Sequence, residues 1–88
     1  MTKYVFAESA WNDYIYWQQT DKKILNKINN LLREIGRTPF EGTGKPEALK
    51  NDPDNSWSRR INEKDRLVYY VSDDSVMIKQ CKGHYDDK

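Results

Sequence analysis

Between residues 22 and 35 the apolar side chains Ile24, Leu25, Ile28, Leu31, Leu32 and Ile35 recur at intervals of three and four, while Lys22, Lys23, Lys27, Asn30, Arg33 and Glu34 fill the gaps. That period lays one apolar stripe along a helix and sets charge on the opposite side. Such a stripe must be covered by something else in the chain. At 88 residues there is room for a single core, so residues 1–88 read as one domain.

The neighbouring segments indicate what the cover is. Thr20 or Asp21 offers the helix an N-cap, and Gly36 stands where a left-handed terminator belongs. Residues 4–7 are a β-prone run, followed by a shorter helix with Ser9 as its cap and Trp11, Tyr14 and Ile15 on one face. Two helices with so tight a junction form an αα-hairpin. Beyond them, residues 57–61, 66–71 and 76–81 alternate apolar and polar side chains, with polar turns at 62–65 and 72–75. The expected order is β-α-α-β-β-β, an α+β fold in which the two-helix hairpin packs on one face of an antiparallel sheet. The other sheet face then stays open, and function is expected there.

Composition bears on this at three points. A mean hydropathy of −1.05 leans toward disorder, but three Trp, six Tyr and two Phe bury much area per residue and can hold a small core. With 15 basic and 14 acidic residues, the net charge of +1 neither announces nor excludes a nucleic-acid partner. The only cysteine, Cys81, cannot form an internal disulfide, and one His with one Cys makes no zinc cage. No carboxylate cluster, P-loop or dinucleotide fingerprint stands out, so no metal or cofactor is expected. The apolar run near the N-terminus is too short for a signal peptide or membrane span, which points to a reduced, cytoplasmic protein without a membrane partner.

Candidate chemistry is sparse. Residues 37–56 hold Pro39, Gly42, Gly44, Pro46 and Pro53, and a loop of this length in a small domain is more often functional than idle. Within it, Glu47, Ala48, Leu49 and Lys50 are expected to add one helical turn. Glu47 lies between Lys45 and Lys50, cations that favour a charged carboxylate; an ordinary solvated loop is the alternative. His84, just past the last strand, is either a solvated residue or a general acid or base. Strand alternation turns Arg60 to the open face and Arg59 away from it. Arg60 and Arg66 suit a phosphate, or pair with Glu63 or Asp65 at the surface. Trp11, Tyr14, Tyr16, Trp17, Trp57, Tyr69 and Tyr70 are assigned chiefly to the core, as is Cys81, whereas Tyr85 is free to stack on a nucleobase. One carboxylate, one imidazole and arginines together suggest acid–base work on an RNA phosphodiester.

The chain resembles the YoeB toxins, within the RelE-like superfamily of bacterial type II toxin–antitoxin systems. The likeness runs through Trp11-Asn12-Asp13-Tyr14, Tyr16-Trp17-Gln18, Thr20-Asp21-Lys22, Arg37-Thr38-Pro39-Phe40-Glu41-Gly42 and Gly44-Lys45-Pro46-Glu47. It continues in Trp57-Ser58-Arg59-Arg60-Ile61, Arg66-Leu67-Val68-Tyr69 and Gly83-His84-Tyr85. The resemblance implies an endoribonuclease that cuts mRNA on the ribosome, has a YefM-like antitoxin and forms a homodimer. It implies catalytic roles for Glu47 (general base), His84 (general acid), Arg66 (phosphate charge) and Tyr85 (substrate position), with Lys45, Lys50 and Arg60 on the RNA backbone. Two other classes stay open: a non-catalytic RNA- or ribosome-binding inhibitor of translation, and a gyrase-poisoning relative of the same fold. The pattern departs at Asp86, Asp87 and Lys88, which follow the His-Tyr pair and whose two carboxylates are expected to repel RNA modestly.

Overall fold

The computed structural model describes residues 2–84. Strand β1 (Lys3–Phe6) leads into helices α1 (Glu8–Thr20) and α2 (Lys22–Arg37). Strands β2 (Glu47–Ala48), β3 (Trp57–Arg60), β4 (Arg66–Ser72) and β5 (Ser75–Gln80) follow. The sheet runs β1-β5-β4-β3-β2, antiparallel except at one edge, where β1 lies parallel to β5 with Lys3 opposite Ser75.

The apolar stripe of α2 finds the cover that its period demands. Ile28, Leu31, Leu32 and Ile35 are buried against Ile61, Leu67, Tyr69, Val76, Ile78 and Cys81, with Trp17 of α1 closing one end. Trp17 also donates its indole N–H to the Cys81 carbonyl at 2.8 Å. Cys81 packs as a small apolar residue, and burial, with the charge of Asp13 adding, pushes its thiol up to about 12. Asp21 caps α2, its Oδ1 accepting from the N–H groups of Lys23 and Ile24 at 3.1 and 3.2 Å.

Four local expectations are corrected by long-range contacts. Helix α1 begins a residue before Ser9, and Ala7 occupies its N-cap without a side-chain bond. On α1, Ala10 and Trp17 are buried, while Trp11 is 47% and Tyr16 44% exposed. Gly36 lies inside α2 and terminates nothing; a Cβ there would stand 2.6 Å from the Tyr4 hydroxyl, which donates to the Leu32 carbonyl. Glu47 and Ala48 form a strand, not a helical turn, because the edge of β3 offers them backbone partners: Glu47 pairs with Ser58 and Ala48 with Trp57.

The long loop is tied down at both ends. Lys79 on β5 holds its far half, with Nζ 3.1 Å from Asp54 Oδ2, 3.3 Å from Ser56 Oγ and 3.5 Å from Asp52 Oδ1. Arg59 holds its near half from inside the core. Fully buried, it donates to the Tyr69 hydroxyl (3.1 Å), to the carbonyls of Thr38 (2.7 Å), Glu41 (2.8 Å) and Thr43 (3.2 Å), and to the Glu34 carboxylate. Tyr69 in turn donates to the Pro39 carbonyl at 2.6 Å. This answers the accounting that any buried charge poses: five acceptors surround one planar fork.

Candidate active site

Alternation along β3 sends Arg59 into the core and Arg60 to the far face, as the sequence pattern predicts. Ser58 shares the face of Arg60. The register then assembles the rest: Glu47 stands opposite Ser58, and Arg60 stands opposite Arg66. Beyond β5, Gly83 adopts φ 88° and the chain folds back, so the Arg66 N–H donates to the Gly83 carbonyl at 3.0 Å. The buried Asp65 fixes the other side of the peptide, accepting from the Gly83 N–H at 2.7 Å. Gln80 Nε2 donates to the carbonyls of Gly83 and His84 at 3.1 and 3.4 Å. His84 is thereby delivered beside Arg66.

The product is a cleft of about 370 Å³ lined by Lys45, Glu47, Ser58, Arg60, Arg66 and His84, with Pro46 and Leu49 as apolar wall. Five of the residues singled out in the sequence therefore meet at one place. Lys50 does not line this cleft, and Tyr85 lies outside the described residues. Ser58 was missed, although its position two residues before Arg60 was a sufficient signal.

Two features suit the cleft to an anion. Directly opposed strand residues have Cβ atoms about 4.5–5.5 Å apart, where like charges destabilise a sheet. Yet Arg60 and Arg66 face each other, and among the described residues neither pairs with a carboxylate. Arg66 Nη1 is occupied by the turn carbonyls of Asn62 (2.8 Å), Asp65 (3.1 Å) and Glu63 (3.2 Å), which aim the guanidinium. Lys45 has φ 51°, in the left-handed region that a lysine adopts at a cost. Gly44 beside it lies so near β3 that a Cβ would meet the Arg60 carbonyl at 3.1 Å, and its own carbonyl accepts from the Arg60 N–H at 2.7 Å. Lys45 and Glu47 thus enter the cleft on a segment clamped to β3 from above and by Arg59 from below.

Among the described residues no three His, Cys, Asp or Glu side chains gather where they would hold a metal ion. Nor is any described helix long and apolar enough to cross a membrane.

A two-helix hairpin on one face of a five-stranded, mostly antiparallel sheet is the RelE-like toxin fold. Residues 6–85 match the model of a family described as the YoeB-like toxin of bacterial type II toxin–antitoxin systems. Toxin YoeB of Escherichia coli K12 is 55% identical over 83 residues, which span 94% of this chain and 99% of that one. Two solved Staphylococcus aureus structures, a YoeB dimer and a heterotetrameric YoeB–YefM toxin–antitoxin complex, are each 48% identical, with TM-scores of 0.89 and 0.88. They match 96% and 97% of this chain and 98% and 99% of theirs. The chain belongs to the YoeB family and is a toxin of a type II toxin–antitoxin system.

Proposed function

We propose that the chain is an endoribonuclease that cleaves mRNA on the ribosome by acid–base chemistry. The observation that carries this reading is the gathering of one carboxylate, one imidazole and two opposed arginines around a single cleft. RNA brings its own nucleophile. Glu47 takes the proton of a 2′-hydroxyl, and the freed oxygen attacks the adjacent phosphorus. The bond from phosphorus to the 5′-oxygen breaks, and His84 gives that oxygen a proton. The products are a 2′,3′-cyclic phosphate and a 5′-hydroxyl. Negative charge growing on the phosphoryl oxygens meets Arg60 and Arg66, the latter held by turn carbonyls before the reaction begins. Tyr85 positions the substrate, and Lys45 and Lys50 hold the RNA backbone.

A net charge of +1 gives little long-range attraction for RNA, which suits delivery by the ribosome better than free capture. A YefM-like antitoxin, by analogy with the S. aureus complex, neutralises the toxin, and the free chain is a homodimer like its S. aureus relative.

Primer extension on programmed ribosomes tests the reading, with wild type beside Glu47→Gln and His84→Ala. Cleavage in the A-site codon by wild type alone supports it. Blocked translation without cleavage by all three proteins would replace it with a non-catalytic binder.

A further inference from the structure

His84 lines two clefts. The second, of about 390 Å³, is not lined by Glu47 and is walled by Tyr16, Trp17, Lys64, Lys82 and Gly83. Its composition differs from that of the first. Tyr16 is 44% exposed although it sits on a helix whose neighbouring Trp17 is buried. Trp17 supports it edge-on, with centroids 5.1 Å apart and planes at 74°. Lys82 Nζ lies over the Tyr16 ring, 4.7 Å from its centroid, the place a stacked base takes as the ammonium moves across to the phosphate. Asp65, the one carboxylate among the described residues of the wall, is buried and engaged by the Gly83 N–H and by Asn62 Nδ2 at 2.9 Å. The cleft therefore presents an aromatic plate and two ammonium groups, the pair of features by which single-stranded nucleic acid is held.

We infer that this second cleft is a binding subsite for the nucleotide on the 3′ side of the scissile phosphate, with its base on Tyr16 and its phosphate near Lys82 and Lys64. The inference rests on the proposed chemistry, which sets the polarity. The base that activates the 2′-hydroxyl belongs to the 5′ side of the cut, and the acid that protonates the leaving 5′-oxygen belongs to the 3′ side. Glu47 lines only the first cleft, whereas His84 stands between the two. A strand laid from Glu47 past His84 runs into Tyr16.

Two uncleavable ligands separate the subsites: a 2′-O-methyl mononucleoside 3′-phosphate, and the same nucleotide extended by one nucleoside on its 3′ side. Both are titrated into the full chain at low salt and followed by amide NMR. In wild type the extension should tighten binding about fivefold or more, the lower bound for one stacked base. Tyr16→Ala should abolish that gain without changing affinity for the mononucleotide, and Tyr16→Phe, which keeps the plate, should retain it. An extension that adds nothing in wild type, or adds as much in Tyr16→Ala, overturns the subsite alone. If neither ligand shifts the amides of Glu47, Arg60 and Arg66, the RNA reading falls and the subsite with it.

Discussion

Replacing Arg59 by methionine keeps an unbranched stem in the core and removes only the guanidinium. Four uncharged acceptors then lose their donor: the carbonyls of Thr38, Glu41 and Thr43 and the Tyr69 hydroxyl. Each lost intramolecular hydrogen bond costs roughly 1 kcal/mol net, so about 4 kcal/mol is at stake before relief is counted. The relief is real, because removing a buried charge recovers its desolvation cost, and swapping whole buried ion pairs for apolar groups is often neutral. That precedent requires every partner to be replaced. Here three partners are main-chain carbonyls, which no substitution removes, so the loss wins. A net destabilisation of about 3 kcal/mol is expected, out of a total of roughly 4–13 kcal/mol for a domain of this length. With a urea slope of about 1.5 kcal/mol/M, the unfolding midpoint of Arg59→Met should fall by about 2 M, read from tryptophan fluorescence, with the slope unchanged. A variant within about 1 kcal/mol of wild type would refute the claim that Arg59 secures the loop.

Two further outcomes follow from the same contacts. Arg60→Thr removes a like-charge cross-strand pair with Arg66, so it should raise stability by roughly 0.2–1 kcal/mol while weakening RNA cleavage; thermal unfolding beside a cleavage assay checks both signs. The Glu34 carboxyl is held below its ordinary value of 4.5 chiefly by the Thr43 backbone N–H, with the Thr43 hydroxyl and Arg59 adding. A depressed carboxyl contributes stability that is present above its unfolded value and lost as pH falls below it. Urea midpoints should therefore decline below about pH 4.5 in wild type, and less steeply in Glu34→Gln; equal slopes would reject the contribution.

Much of this architecture was legible because it is periodic. The stripe from Ile24 to Ile35 marks the core face of α2, and alternation from Trp57 to Arg60 turns Arg60 outward. What failed to show were positions decided by partners far along the chain. Gly36 looks like a terminator in isolation, but its role is to admit the hydroxyl of Tyr4, 32 residues earlier. Glu47 and Ala48 have no strand pattern of their own and become a strand through the edge of β3. Arg59 reads as half of a basic pair, and only the fold supplies the carbonyls that enclose it. The candidate site was legible as a set of residue types, and its assembly was not. It depends on the Arg60–Arg66 register and on the fold-back at Gly83, neither of which has a local signature.

On the proposed mechanism, the two adjacent arginines on β3 divide the labour of the candidate site between stability and chemistry. Strand geometry forces neighbours to opposite faces, so a change of one residue in register would exchange them. Arg60 would enter the core opposite Leu67, and Arg59 would leave the loop's carbonyls unbonded, at a cost of several kcal/mol. The buried arginine thus specifies the register that puts the exposed one across from Arg66. It also anchors the segment that carries Lys45 and Glu47 into the cleft. The repulsion built into the cleft is tolerable because the favourable contacts of Arg59 lie one residue away on the same strand. An anion entering between Arg60 and Arg66 then relieves strain that the core has already absorbed, which is how a small domain with a net charge of +1 can still concentrate positive charge at one point.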